Sequence, residues 1–237
     1  MKLSILGNNG PFPAPGGACS GYLLSSASGR THILLDCGSG VLSNYANVLP
    51  WESLNAVVLS HLHFDHMSDM LPMQYALQFH SRPEPLTVLA PAEPVGVRAL
   101  LNVPAYDLRP MQDCTIGEFS LSFCPVRHPV PTFALRVHCD GRSFVYTGDT
   151  NEAPVLDSFA SGADLLLADA GLSAADWHAE APHLSAERCA RLAERTDVGR
   201  LLLTHLNPRY TVTDLEREAR AVRPDAQFVH IGATYEI

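Results

Sequence analysis

The stretch Ser60-His61-Leu62-His63-Phe64-Asp65-His66 puts three imidazoles and a carboxylate into six residues, His61 to His66. On an ordinary loop such a group would be a solvation liability. Around a divalent cation it is stable, because neutral imidazole and carboxylate are the ligands zinc takes in sites that also admit water. An apolar run, Ala56-Val57-Val58-Leu59, leads straight into it.

Three later positions repeat the arrangement. His128 lies in Arg127-His128-Pro129-Val130-Pro131, where the prolines stiffen the chain. Asp149 lies in Thr147-Gly148-Asp149-Thr150, just after Phe144-Val145-Tyr146, and Gly148 lets the backbone turn there. His205 ends Leu201-Leu202-Leu203-Thr204. Each alone has a plain alternative, a core or surface histidine or a turn-forming aspartate. Repetition at four strand ends favours a shared site, since such ends are where active sites gather on a rigid scaffold. The seven side chains His61, His63, Asp65, His66, His128, Asp149 and His205 are too many for one tetrahedral ion. They suit two divalent metal ions with a carboxylate between them, zinc by preference, with manganese or iron as alternatives.

The elements that position them are short. Apolar or β-branched runs predict strands over 2–6, 21–25, 32–36, 56–59, 86–90, 119–125, 132–139, 143–147, 165–168 and 201–204. Helical spacing predicts helices over 67–81, 185–194 and 214–222. Hairpin-like pairs with intervening helices point to sheets packed face to face and covered by helices. No sequence repeat is visible, although the two halves share a β-rich character. At 237 residues and 46% hydrophobic content, one large α/β domain over 1–237 is expected.

A net charge of −9 argues against non-specific affinity for nucleic acid. No apolar run is long enough for a membrane span, and the N-terminal Met1-Lys2-Leu3-Ser4-Ile5-Leu6-Gly7 does not read as a signal peptide. The six cysteines never form C-x-x-C and read as thiols of a reducing cytoplasm. His32, His80, His138, His178 and His230 have no ligand partner in sequence, and Trp177-His178 reads as a surface loop.

The order H-x-H-x-D-H, then His128, then Gly148-Asp149, then Thr204-His205 resembles the metallo-β-lactamase superfamily. The resemblance runs through most of the chain and implies an αββα four-layer sandwich. It implies that His61, His63 and His128 hold one metal, that Asp65, His66 and His205 hold the other, and that Asp149 bridges them. Ala181-Pro182-His183-Leu184-Ser185-Ala186-Glu187 and Leu203-Thr204-His205-Leu206-Asn207-Pro208-Arg209-Tyr210 resemble the branch of RNase Z and its small-molecule phosphodiesterase relatives. So does the opening loop from Asn9 to Ser20, which is then expected to border the pocket.

What that branch implies is phosphodiester hydrolysis by a water activated between the metals. Asp65 would orient or deprotonate the water, and His183 would act as general acid or phosphate contact. In tRNA-trimming relatives a protruding arm lies between the third metal histidine and the bridging aspartate. Here strands and the turn at Asp140-Gly141 fill that interval, which argues against tRNA and for a small phosphodiester such as a cyclic nucleotide. RNase Z-like cleavage of RNA 3′ ends and lactone or thioester hydrolysis are the alternatives. Relatives are often homodimers; the apolar 67–81 helix fits a dimer face or a buried core face equally.

Overall fold

The strands of the computed structural model, which describes residues 1–80 and 82–237, follow the alternation of apolar side chains. β1 (Lys2–Gly7), β2 (Gly21–Ser25) and β3 (His32–Leu35) pair antiparallel. β4 (Ala56–Val58), β5 (Leu86–Leu89) and β6 (Tyr106–Arg109) then add in parallel, beginning beside β3. Parallel neighbours need crossovers. α1 (Val41–Tyr45) precedes β4, α2 (Phe64–Met67) and α3 (Met70–Phe79) precede β5, and α4 (Val95–Arg98) precedes β6.

After β7 (Cys114–Ile116) the plan is repeated. β8 (Phe119–Val126), β9 (Thr132–Cys139) and β10 (Arg142–Tyr146) are antiparallel. β11 (Leu165–Asp169), β12 (Arg200–Thr204) and β13 (Gln227–Phe228) follow in parallel, with crossovers α5 (Val155–Ala160), α6 (Ala186–Arg195) and α7 (Val212–Arg220). β7 joins the second half's sheet against β8, and β14 (Thr234–Glu236) returns to the first half's sheet against β1. The two sheets therefore run β14-β1-β2-β3-β4-β5-β6 and β13-β12-β11-β10-β9-β8-β7.

The likeness of the halves reaches single hydrogen bonds. Asn55 Oδ1 accepts from the His32 amide at 2.7 Å, while the Asn55 amide donates to the His32 carbonyl. In the second half Asp164 Oδ2 accepts from the Ser143 amide at 2.8 Å, and the Asp164 amide donates to the Ser143 carbonyl. Each pair clips the start of a half's third strand to the start of its fourth. The duplication is one of backbone topology, which is why no sequence repeat announces it.

Alternation sorts the core into three layers. Tyr22, Leu24, Ile33 and Leu35 face Leu135, Val137, Phe144 and Leu167 between the sheets. Leu23, Leu34 and Val57 pack under the first half's helices, with Met70, Met73 and Leu77. Leu166, Ala168 and Leu201 pack under Cys189, Leu192 and Leu215. The result is the αββα sandwich.

The helix expected over 67–81 is two helices, and Asp65 and His66 sit inside the first. Pro72 has no amide to return to Ser68, so a continuous helix from Phe64 onward lacks that bond. Ser81, the expected end, lies outside the described residues. α3 is apolar on two faces: Met70, Met73 and Leu77 are buried, while Leu71, Tyr75 and Phe79 are exposed. Ser185 caps α6, its hydroxyl accepting from the Arg188 amide. Sequence reasoning missed β6, β7, β13 and β14, all short strands at or next to sheet edges. Among the described residues the six cysteines are free thiols, and no helix is long and apolar enough to cross a membrane.

Candidate metal centre

The parallel strands of both halves end on the same side of the sandwich, and the loops that leave them converge. His61 and His63 follow β4, and Asp65 and His66 lie in α2. His128 follows β8, Asp149 follows β10 and His205 follows β12. Gly148 has φ 60°, and a Cβ there would come within 3.1 Å of Phe133 O and Ser60 Cβ, so glycine is what lets β10 turn toward the site. His205 itself adopts φ 58°, a strained conformation for a residue with a side chain.

All seven predicted ligand residues are brought together. His61, His63, His128 and Asp149 form one group with mutually close ligand atoms, and Asp65, His66, Asp149 and His205 form another, so Asp149 is common to both. In the first, His63 Nδ1 lies 3.0 Å from His61 Nε2 and 3.1 Å from His128 Nε2. In the second, His205 Nε2 lies 3.2 Å from both Asp65 Oδ2 and Asp149 Oδ2, and His66 Nε2 lies 3.2 Å from Asp149 Oδ2.

The outer hydrogen bonds decide which ring nitrogens keep a lone pair. Pro182 O can only accept, so His128 Nδ1 donates to it at 2.9 Å and Nε2 turns inward bare. Ser60 Oγ donates to Asp36 Oδ2 at 2.8 Å and accepts from His61 Nδ1 at 3.0 Å, which leaves His61 Nε2 bare as well. His66 Nδ1 is held by Asp36 Oδ2 at 2.8 Å. Such outer partners fix the tautomer and aim of metal-binding imidazoles. Burial holds His61 well below the ordinary imidazole range and pulls His63 and His128 down. Against its own burial, Asp149 is held ionised by His205 and His66. Neutral imidazoles and ionised carboxylates are the forms that bind metal, so His61, His63 and His128 stand ready. Against its burial, Asp149, Asp36 and Asp65 push His66 well above the ordinary imidazole range, and it would give up its proton as a metal bound.

Among the described residues, buried His66 Nε2, Asp149 Oδ1 and His205 Nδ1 have no hydrogen-bond partner. Orphaned polar atoms cost free energy in a protein interior, and two of these belong to the shared carboxylate and a ring facing it. The donor set and the orphaned atoms fit divalent metal ions.

His183, from the loop before α6, reaches the same place. Its ring stacks against His205 at 4.8 Å between centroids, and its Nδ1 lies 2.9 Å from Asp169 Oδ2. Burial opposes a charge on His183, but Asp169 outweighs it and pushes the imidazole up to about 9. Gly10 of the opening loop touches the site too: a Cβ there would overlap His205 Nε2 at 1.9 Å.

Sequence reasoning missed the two carboxylates behind the histidines. Asp36 accepts from His66, from Ser60 through amide and hydroxyl, and from Tyr146. Asp169 accepts from His183, Thr150 and Gly171. Each ends or follows a buried strand, the same signal that singled out Asp149 and His205. Trp177 is half-buried and donates to Asn151, whereas His178 is exposed.

Residues 31–206 match the family model described as the β-lactamase superfamily domain. The chain is similar to a probable metallo-hydrolase, YhfI, of Bacillus subtilis, with 35% identity over 94% of this chain and 93% of that one. The crystal structure of that metallo-β-lactamase fold protein superposes with a TM-score of 0.92, covering 100% of this chain and 99% of the other at 31% identity. A ribonuclease Z of Mycobacterium marinum is 31% identical over 88% of this chain and 87% of its own. Human tRNase Z, short form, shares the fold with a TM-score of 0.81 at 20% identity, covering 100% and 99% of the two chains.

Proposed function

This chain belongs to the metallo-β-lactamase superfamily, in its RNase Z-like branch, and on that premise we propose that it is a dinuclear metal-dependent phosphodiesterase acting on a small phosphodiester such as a cyclic nucleotide. His61, His63 and His128 would hold one ion, Asp65, His66 and His205 the other, and Asp149 both, with zinc the favoured metal. Two divalent ions there would lower the pKa of water and neutralise charge building on the non-bridging phosphoryl oxygens.

The observation that carries the reading is the Asp169–His183 pair beside Asp149. His183 Nδ1 lies 3.8 Å from Asp149 Oδ2 and is held by Asp169. With Nδ1 engaged, Nε2 is the atom left to hold a proton for a leaving alkoxide or to donate to a phosphoryl oxygen. A thioester hydrolase has less use for an imidazole held this way, because a thiolate leaves without a proton, whereas the alkoxide of a phosphodiester needs one. Asp65, 3.2 Å from His205 through Oδ2, would orient the attacking water.

Small substrates are favoured by the β9–β10 hairpin, in which only Asp140 and Gly141 separate the strands. No arm of the kind that would grip folded RNA is inserted in that turn, which supports the smaller substrate. Cleavage of RNA 3′ ends remains the second reading, supported by the 31% identity to a mycobacterial ribonuclease Z.

The test is turnover of 2′,3′- and 3′,5′-cyclic nucleotides by metal-reconstituted protein, beside a precursor tRNA, a lactone and a thioester. The expected result is cyclic nucleotide hydrolysis that falls about 10²- to 10⁴-fold in His183→Ala, with a much smaller loss on an activated phosphodiester. Turnover of the tRNA or of the ester substrates alone would replace the proposal.

A further inference from the structure

The loop between β11 and α6 runs for sixteen residues, 170–185, without helix or strand, yet it carries His183. Its middle is exposed: His178, Ala179 and Glu180 all face solvent. Long loops are where conformational multiplicity lives, so a side chain held on one needs anchoring contacts.

The grip is Asn151, two residues after Asp149 and wholly buried. Its Nδ2 has two hydrogens for three carbonyls: it donates to Ala181 at 2.6 Å and shares a longer, bifurcated bond between His178 at 3.1 Å and Ala179 at 3.3 Å. Its Oδ1 accepts from the Trp177 indole at 2.9 Å and the Glu152 amide at 2.7 Å, and its own amide donates to Arg127 O at 2.9 Å. One side chain thus ties the β10 turn to nearly every residue of the 177–181 segment. The next residue, Pro182, supplies the carbonyl that His128 Nδ1 donates to, and the one after it is His183. The His128 and His183 rings lie 5.4 Å apart between centroids.

We propose that Asn151 is a positioning residue: by gripping the carbonyls of the 178–181 segment it sets the His183 ring and, through Pro182, the tautomer and aim of the His128 ring. Among the described residues no other side chain bonds three carbonyls of this loop, and the Arg188 guanidinium 3.6 Å over the Trp177 ring closes the loop's outer side. The kinetic part of this inference rests on the role proposed for His183. The structural part does not.

The experiment uses Asn151→Ala, with Trp177→Phe as a milder companion that removes one bond to Asn151 from the surface side. Ring nitrogen shifts are read first, by NMR on metal-free protein. His128 is expected as the Nδ1–H tautomer in the parent chain and to lose that preference in Asn151→Ala. Hydrogen exchange at the Trp177 indole is expected to speed up in Asn151→Ala. On an unactivated phosphodiester kcat is expected to fall about a hundredfold with KM within about twofold, and the double variant with His183→Ala should be no slower than His183→Ala alone. Trp177→Phe should shift the His128 ring signals in the same direction by less, and it decides the matter if Asn151→Ala does not fold.

A folded Asn151→Ala with unchanged His128 tautomer overturns the proposal, as do losses that multiply in the double variant. If the parent chain hydrolyses no phosphodiester, the proposed function fails, and the ring shifts still judge Asn151.

Discussion

The two halves of the molecule share a strand plan but furnish the metal centre differently. The first half places His61, His63, Asp65 and His66 within one β4–α2 connection and backs them with Asp36 at the end of β3. The second half spreads its contribution over four loops, with His128 after β8, Asp149 after β10, His183 before α6 and His205 after β12. A compact contribution needs one rigid turn. A dispersed one needs each loop aimed separately, and that work falls to Asp169, Asn151 and the αL backbone of His205. The same fold thus gathers its ligands once in a single local stretch and once from separate loops, with a backing carboxylate behind each set.

The comparison breaks most readily at the two backing carboxylates. Asp36→Ala strips the acceptor from Tyr146, His66 and Ser60 in a fully buried place. It is expected to cost about 3–5 kcal/mol in urea unfolding of the metal-free protein and to abolish binding of the second ion. A cost under about 1 kcal/mol would mean the first half does not depend on this carboxylate. Asp169→Asn should instead leave most of the stability and lower kcat on an unactivated phosphodiester about 10- to 100-fold. Equal stability losses for the two would erase the distinction.

Ser60→Ala sharpens the comparison within the first half. Its hydroxyl links Asp36 to His61 Nδ1, so its loss should weaken the His61 ion about tenfold in calorimetric titration and destabilise the fold by about 1 kcal/mol. The ion beside Asp65 should be less affected.

The smallest expected effect separates the two matching clips far from the site. Despite some burial, the hydrogen bonds from Arg142 and Ser143 hold the Asp164 carboxyl below its ordinary range. A depressed folded pKa contributes stability that is present above the unfolded pKa and lost as pH falls through the folded one. The stability difference between the parent and Asp164→Asn should therefore be about 0.5 kcal/mol at neutral pH and vanish in acid. Asn55, the counterpart, does not ionise, and Asn55→Ser should show a loss without that slope. Denaturation at several pH values reads both.

The same contrast explains what was legible in the sequence. Ten strands announced themselves by apolar runs of buried alternation, and the His61–His66 cluster by its density. β6, β7, β13 and β14 did not, because Tyr106-Asp107-Leu108-Arg109 or Gln227-Phe228 become strands only where a neighbouring edge accepts them. Asp36 and Asp169 stood at the same strand-end signal as Asp149, yet a single acid after an apolar run is common enough to pass unnoticed. Asn151 carried no signal at all, since its partners are carbonyls that any sequence supplies. The duplicated topology was hidden for a like reason: backbone pairing recurs while side chains diverge.

The exchange of β7 and β14 bears on how the chain reaches this state. Leu3 pairs with Tyr235, so the edge of the first sheet is completed by residues made more than two hundred positions later. Until then β1 presents unpaired amides and carbonyls on a newly made chain, an invitation to wrong partners. The second sheet has no such wait, because β7 precedes the β8 strand it covers. During synthesis the half that carries the dense metal motif is therefore the one whose sheet edge stays open longer, until residues Thr234–Glu236 have been made.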